Sequence, residues 1–311
     1  MREIANEESK IDNPKSHAAH RPVMPGEVLE FLRVRPDGFY IDATLGLGGH
    51  AAEILKRLRV GRLLGIDWDP RAIDEARRHL RGFEEKLILL QGNFADIDAL
   101  HVRSGLSLAD GMLADLGMSS QQVNDPVRGF SFSRSGPLDM RMDPGTETTA
   151  GQIVNQEREH ELADLIFRLG EERHSRRIAR AIVKARPIRT TTELAQVVSR
   201  AIPYRAGLHQ IHPATRTFQA LRLAVNRELE NLAVFLSKAL AVLAPGGRLV
   251  IISFHSLEDR MVKHTLRRWQ RTGGARVLTP RMVRPSKVEV LANPRSRSAK
   301  LRAAEKAAVE C

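Results

Sequence analysis

Short apolar runs and helical patterns take turns along the first part of this chain. The sequence predicts four strands, each an apolar run bounded by turn residues, at 39–42, 62–67, 86–91 and 110–115. Apolar residues at helical spacing predict helices over 25–32, 51–58 and 70–80. Strands and helices that alternate in this way predict an α/β fold with a parallel, doubly wound sheet.

The alternation is interrupted between residues 125 and 217, where the sequence predicts no strand. A Gly-, Ser- and Arg-rich stretch comes first, and helical spacing then predicts helices over 156–169, 171–185 and 192–201. The last of these helices has a capping sequence, Thr190 to Glu193, at its start. We therefore predict a small helical domain, 125–217, inserted into the sheet domain.

The α/β pattern resumes after the insertion. The sequence predicts a long helix over 217–243, a strand over 249–254, a helix over 257–269 and weaker strands over 275–278 and 298–303. The strand at 249–254 is almost continuously apolar, which is typical of a central parallel strand buried on both faces. The sheet domain is thus predicted to comprise residues 20–124 and 218–311, with a flexible tail at 1–19.

The composition of the chain indicates a polyanionic partner. The chain of 311 residues has a formal net charge of +12, which favours a nucleic-acid partner over general surface basicity. From Arg260 onward, fourteen Lys and Arg stand against three acids, a footprint typical of phosphate-contacting surfaces. No apolar run reaches the roughly 18 residues of a membrane span, and the first residues lack the apolar core of a signal peptide. We predict a cytoplasmic protein without a membrane partner.

The segment from Tyr40 to Ala51, YIDATLGLGGHA, predicts a ligand-binding turn. An apolar strand ends in Asp42, and Gly46, Gly48 and Gly49 then lead into a helix, so backbone can approach a ligand closely. The spacing also fits the dinucleotide pattern. A carboxylate at the strand end would repel a pyrophosphate, however, and suits the ammonium and sulfonium charges of S-adenosylmethionine. Asp42 as a simple turn residue is the alternative.

Functional side chains are also predicted at the ends of the next three strands. Asp67 ends the second strand, where an acid in a doubly wound sheet usually accepts the ribose hydroxyls, and Asp69 is interpreted as a helix N-cap. Phe94 follows the third strand, where stacking on adenine and a place in the core are equally compatible. Asp115 ends the fourth. Because parallel strands end at one edge of a sheet, these residues predict a single crevice.

The position of the single cysteine restricts the chemistry. Methyl transfer to C5 of a pyrimidine needs a thiolate that adds to the ring, and Cys311, the last residue, is not placed for that role. An exocyclic amine or a ribose hydroxyl needs no covalent adduct, so both acceptors stay open. Asp115 and nearby backbone carbonyls are the candidate acceptors of the departing proton.

The histidines support no metal site. His209 and His212 are separated by two residues but have no acid or cysteine nearby, so no metal ligand set is predicted. His255, which follows the strand at 249–254, is a candidate substrate contact, with a structural hydrogen bond as the equal alternative.

Eight longer strings run through the chain: DATLGLGGH, GIDWDP, ADLGMSSQQ, RGFSFSRSGPLDMRMD, GEERHSRRIARAIV, HPATRTFQALRLAVNREL, APGGRLVIISFHSLEDR and NPRSRSAKLR. From about Arg21 to Lys306 they resemble, in the same order, the RsmH (MraW) family of bacterial 16S ribosomal RNA cytosine-N4 methyltransferases. GPLDMRMD and SFHSLEDR are the most specific. The segment after Trp269 is shorter than in some relatives, so no RNA contact is assigned to it.

The resemblance implies a Rossmann-like class I methyltransferase fold in which the inserted helical domain recognises the substrate. It implies that S-adenosylmethionine is held by a set of turn and strand-end residues: Gly48, Gly49, His50, Asp67, Phe94, Asp115 and Gln122. Gln121 stands where the family usually has a proline, which leaves Gln122 in place. Asp139 and Arg141 would line the pocket of the target cytidine, whose N4 amine in the 16S decoding region would be the acceptor. The small ribosomal subunit would be the partner.

Two other classes of function are compatible with parts of the sequence. An NAD-dependent oxidoreductase would use the same sheet, but Asp42 and the lack of a proton donor paired with a substrate arginine disfavour it. A non-catalytic RNA-binding protein that senses its ligand would differ from an enzyme in transferring no methyl group to small subunits. Monomer and homodimer are both compatible with the sequence.

Overall fold

The computed structural model describes residues 21–202 and 211–308. Its central feature is one sheet of seven strands. The strands are β1 (Phe39–Asp42), β2 (Arg62–Asp67), β3 (Leu87–Gln91), β4 (Ala109–Asp115), β5 (Leu243–Ser253), β6 (Ala275–Val277) and β7 (Lys300–Lys306). They lie in the order β3-β2-β1-β4-β5-β7-β6. β1 to β5 are parallel, and β7 runs antiparallel to β5 and β6. The predicted doubly wound α/β sheet is confirmed; the predicted tail, His209 and Cys311 lie outside the described residues.

The described ranges contain thirteen α-helices. They are α1 (Pro25–Leu32), α2 (Gly49–Leu55), α3 (Pro70–His79), α4 (Ile97–Ser104), α5 (Ser120–Asn124), α6 (Ala150–Gln156), α7 (Glu159–Gly170), α8 (Ser175–Ala185), α9 (Thr191–Ala201), α10 (Thr215–Val225), α11 (Glu228–Val242), α12 (Ser256–Arg271) and α13 (Lys287–Ala292). None of them combines the length and apolar character that a membrane crossing requires.

Helices cover the sheet on both faces, and alternate residues of a strand point to opposite faces, so neighbouring residues enter different cores. In β1, Ile41 belongs to one core cluster together with Phe235 of α11. Its neighbour Tyr40 belongs to a different cluster together with Ile54 of α2. All four residues of β1 are buried, as expected for a parallel strand covered by helices on both sides.

The strand order reverses between β1 and β4. From β1 the chain continues to β2 on one side and later returns to β4 on the other, so the loops after β1 and β4 diverge and leave a crevice beyond their carboxyl ends. Asp42, Asp67 and Asp115 are the last residues of β1, β2 and β4. The fold therefore places three of the predicted site residues at one edge.

A second hydrophobic core, distinct from the sheet, lies in residues 130–225. It joins α6, α7, α8, α9 and α10, and we call these helices with the loop before them the helical block. Phe218, Leu221 and Val225 of α10 belong to this core, so the packing favours an end of the block at Val225 over the predicted end at 217. The division into a sheet domain and an inserted domain stays a proposal.

The single long helix predicted over 217–243 is wrong. α10 ends at Val225, Arg227 adopts a left-handed φ of 49°, and α11 starts at Glu228. Asn226 at the break is fully buried, and its side chain bonds to the backbone of Met140 and Met142. The break therefore has a tertiary cause, while the apolar spacing runs on across it.

Candidate active site

A cleft of about 830 Å³ opens beyond the carboxyl ends of the parallel strands. Six of the eight predicted cofactor residues border it: Gly49, His50, Asp67, Phe94, Asp115 and Gln122. The other two, Asp42 and Gly48, do not border it; Asp42 is buried, with 1% of its surface exposed. The structure thus gathers most of the predicted residues in one place.

The glycine turn sets the course of the backbone along the cleft. Gly46 and Gly48 have φ of 52° and 81°, a left-handed conformation that costs other residues roughly 1–2 kcal/mol. A Cβ on Gly48 would also lie 3.0 Å from the side chain of Leu80. The Gly46 N–H donates to Oδ2 of Asp67 at 2.7 Å, which ties the turn to the end of β2.

Asp42, His50 and Asp115 form what we call the strand-end cluster. Nε2 of His50 lies 3.5 Å from Oδ2 of Asp115, longer than an ordinary hydrogen bond. Among the described residues, Asp42 Oδ2, His50 Nε2 and Asp115 Oδ1 are buried and have no hydrogen-bonding partner. Buried polar atoms are seldom left unpaired. The cluster therefore fits a ligand with complementary polar groups, and S-adenosylmethionine offers both an ammonium and a carboxylate.

Burial alters the titration of two acids at this edge. It raises the pKa of Asp42 to about 7, against the opposing charge of His50. It also raises the pKa of Asp67 to about 6, although the N–H groups of Asp69 and Gly46 donate to this carboxylate. Perturbed carboxyl groups gathered at one such edge are typical of functional sites.

We expect the affinity for S-adenosylmethionine to rise between pH 6 and pH 8. Asp42 is protonated below its pKa of about 7 in the free protein, and a neighbouring ammonium favours its carboxylate, so binding releases a proton. The apparent Kd, measured by isothermal titration calorimetry, should fall about tenfold over this range. Asp42→Asn should bind with little dependence on pH. A flat profile for the wild-type protein would contradict the role of Asp42.

Phe94 and Gln122 each contact a neighbouring side chain that fixes their position. Phe94 meets Phe235 edge to face, with ring centroids 5.2 Å apart, and also borders the cleft. Its stacking on adenine stays a prediction. Nε2 of Gln122 donates to Oδ2 of Asp69 at 3.0 Å. Oδ1 of Asp69 accepts from the N–H of Arg71 and caps α3, which confirms the N-cap prediction.

Asp139, Arg141 and His255 do not border the cleft. Arg141 and Asp139 form a two-pronged ion pair, with Nε–Oδ1 and Nη2–Oδ2 distances of 2.9 and 2.8 Å. His255 caps α12 and lies 3.0 Å from a carboxylate oxygen of Glu258, which corresponds to its structural alternative. A substrate-binding role for these three residues stays a prediction.

Two cleft residues that the sequence analysis did not identify are Glu228 and Glu258, which we call the glutamate pair. Arg222 bonds both oxygens of Glu228, at 2.8 and 3.0 Å, but burial still raises the pKa of this glutamate. Burial also acts to raise the pKa of Glu258, but the bond to His255 and the charges of His255 and Arg222 outweigh it and hold the pKa below its usual value. The spacing His255 to Glu258 is a capping signal, whereas Glu228 falls inside the wrongly predicted long helix.

The segment after Trp269, to which no contact was assigned, also reaches the cleft. Ala292, Asn293 and Arg295 border it. Nη2 of Arg295 donates to Oδ1 of Asn124 at 3.2 Å, so this segment is joined to the end of α5.

The strand order, the antiparallel β7, the crevice at the switch point and the acids at the strand ends are together those of the Rossmann-like class I methyltransferase fold. A family model described as the MraW methylase family matches residues 17–307. The chain belongs to the MraW methylase family. Membership confirms the predicted family and enzyme class, and with it the predicted methyl donor, S-adenosylmethionine.

Individual proteins are similar over nearly the whole chain. The ribosomal RNA small subunit methyltransferase H of Syntrophobacter fumaroxidans is 49% identical over 309 residues, 93% of this chain and 97% of the relative. The protein of the same name from Koribacter versatilis is 52% identical over 295 residues, 92% of this chain and 93% of the relative. A crystal structure of an rRNA methylase from Streptococcus thermophilus aligns with a TM-score of 0.42 and 11% identity, over 91% of this chain and 93% of that one.

Proposed function

We propose that this chain transfers a methyl group from S-adenosylmethionine to the N4 amine of a cytidine in the decoding region of 16S ribosomal RNA. The observation that carries the proposal is the identity of about one half, over almost the full length, to relatives named ribosomal RNA small subunit methyltransferase H. The chemistry of the cleft agrees with it. Its described lining contains carboxylates and no thiol, which suits an amine acceptor and not carbon C5.

The residues at the strand ends bind and orient the donor in this proposal. S-adenosylmethionine supplies a methyl group that its sulfonium charge has already activated. Asp42 and His50 pair with the charged amino-acid groups, Asp67 accepts from hydroxyls, and Phe94 offers an apolar face to a ring. Catalysis then depends chiefly on holding donor and acceptor in line.

Asp115 is the proposed acceptor of the proton that the amine loses. Its Oδ1 is buried without a partner, and the side chain borders the cleft. The glutamate pair is less suited, because Glu228 is bonded by Arg222 and Glu258 accepts from the N–H of Phe254. An unpaired oxygen on a carboxylate that borders the cleft is what a general base requires.

The substrate is proposed to be held by its backbone on the helical block. A paired base cannot present its amine, so the target cytidine must be unpaired or splayed out. The exposed face of α8 carries four cations, Arg176, Arg177, Arg180 and Lys184, and the exposed Arg173 lies just before the helix. Phosphate contacts there would position the RNA and leave the choice of base to the cleft. A ribosomal substrate places the reaction in the cytoplasm.

Small subunits from a strain that lacks this gene provide the test. Purified protein with radiolabelled donor is expected to label these subunits, and digestion should yield the label as N4-methylcytidine. Nucleoside mass spectrometry should show that this nucleoside is absent from the 16S RNA of the deletion strain. Label in another nucleoside, or persistence of N4-methylcytidine in the deletion strain, would overturn the proposal.

A further inference from the structure

Within the described ranges, the helical block contributes one residue to the lining of the cleft. Among the cleft residues in the described ranges, Met142 alone comes from the stretch between 125 and 217. It belongs to the three residues Met140, Arg141 and Met142, which we call the 140–142 segment. Met140 is fully buried in the core of the block. The block's surface at the cleft therefore depends on where this segment lies.

Arg128 holds one side of the 140–142 segment. Its carbonyl accepts from the Met140 N–H at 3.0 Å, and its Nη2 donates to the carbonyls of Arg141 and Met142 at 3.0 and 2.8 Å. Its Nη1 donates to Oδ2 of Asp69 at 2.8 Å. Arg128 and Asp69 are both buried, so this pair is shielded from solvent. Arg128 thus joins the segment to the start of α3, two residues beyond β2.

Asn226 holds the other side. Its Nδ2 donates to the Met140 carbonyl at 2.8 Å, and its Oδ1 accepts from the Met142 N–H at 2.7 Å. The remaining backbone group, the Arg141 N–H, donates to Oδ1 of Asp139 at 3.0 Å. All six backbone polar groups of the 140–142 segment are therefore bonded, five of them to side chains. Such bonds, in place of those of a helix or sheet, specify one conformation.

The conformation that results is a strained one. Met140 has a φ of 61°, a left-handed value that costs a bulky residue roughly 1–2 kcal/mol. Such strain persists only where the surroundings over-determine the backbone, and it concentrates at functional sites. Arg128 and Asn226 provide that over-determination here.

We propose that Arg128 and Asn226 are positioning residues that fix Met142 as the apolar wall against which the target base packs. Because Arg128 also bonds Asp69 at the start of α3, it fixes the position of Met142 relative to the residues proposed to bind S-adenosylmethionine. A thioether is suited to the task because sulfur makes favourable contacts with aromatic rings. The inference rests on the proposed function, since it assigns the wall to the base that is methylated.

Kinetics of conservative variants test the proposal. Arg128→Lys keeps a cation for Asp69 but loses the fork that bonds two carbonyls, and Asn226→Asp loses the donor to Met140. Each is expected to lower kcat with small subunits at least tenfold while the Kd for S-adenosylmethionine stays within threefold. Met142→Ala should have the same signature. Arg71→Lys is the matched control, because Arg71 is exposed and its side chain forms an ion pair only with Asp125 among the described residues, so its kcat should not change.

A double-mutant cycle separates positioning from a general effect on folding. If Arg128 acts through Met142, adding Arg128→Lys to Met142→Ala should cost no more than about twofold further in kcat. Losses that multiply would overturn the inference, as would a kcat of Met142→Ala within twofold of wild type. The latter result decides the matter even if the Arg128 variant does not fold. Wild-type protein that fails to methylate small subunits would instead refute the proposed function.

Discussion

Asp115→Asn is expected to lower kcat about 100-fold, because the amide keeps the shape of the side chain but cannot accept a proton. The side chain borders the cleft with one buried, unpaired oxygen. The measurement is single-turnover methyl transfer to small subunits at saturating donor. Saturation is needed because Asp115 also lies beside His50, 3.5 Å from its Nε2, so the Kd for the donor is expected to change as well.

Asp110→Asn is the matched control for this variant. Asp110 lies at the opposite end of β4, where its carboxylate accepts from the Phe39 N–H at 2.8 Å and from Arg35 at 2.7 Å. Its loss should lower the free energy of unfolding but leave kcat unchanged. A kcat of Asp115→Asn within threefold of wild type would remove Asp115 from the mechanism and leave the backbone carbonyls as acceptors.

Gly129→Ala should lower the free energy of unfolding by about 3 kcal/mol or more. Gly129 has a φ of 69°, and a Cβ there would lie 2.1 Å from the carbonyl oxygen of Pro137 and 3.0 Å from the Asp139 nitrogen. Both neighbours are backbone atoms, so the loop that carries Arg128 must move to make room. Thermal unfolding of the purified protein should show a Tm roughly 6–12 °C lower.

Gly105→Ala separates the clash from the backbone strain. Gly105 follows α4 with a φ of 67°, nearly that of Gly129, but among the described residues no atom lies within 4 Å of the place that a Cβ would take. The substitution should therefore cost only the left-handed conformation, about 1 kcal/mol. Equal losses in the two variants would show that the close approach of Pro137 does not matter.

Buried parallel strands were the most predictable part of this fold. The apolar runs predict β1 and β2 with the ends that the structure shows, Phe39–Asp42 and Arg62–Asp67. Both strands are bounded by turn residues and covered on two faces, so local sequence and tertiary burial favour the same limits. The acids at their ends were predictable for the same reason, because parallel strands necessarily end at one edge.

Some helix limits had a local signal and others did not. α6 was not predicted, although Thr149 and Gln152 form a capping box at its start, and that spacing can be read from sequence. The break between α10 and α11 has no such signal. Asn226 leaves the helical course because the backbone of the 140–142 segment, about 85 residues earlier in the chain, offers it hydrogen bonds.

The part of the cleft that Met142 and Glu228 border was less predictable than the strand-end cluster for a related reason. Met142 and Glu228 reach it through irregular connections whose course depends on contacts distant in sequence. Asp139 and Arg141 pair with each other in the structure and do not border the cleft, and their role in substrate binding stays a prediction. The turn at Met140 decides that Met142, and not Asp139 or Arg141, borders the cleft. Hydrophobic periodicity in the sequence does not reveal this turn.

The long stretch between β4 and β5 also has a consequence for synthesis on the ribosome. β4 ends at Asp115 and its partner β5 starts at Leu243, about 130 residues later. At roughly 5–20 residues per second, the ribosome needs about 6–25 seconds to make this stretch. For that interval the strand that will be central in the finished sheet is an open edge, able to pair with other nascent chains.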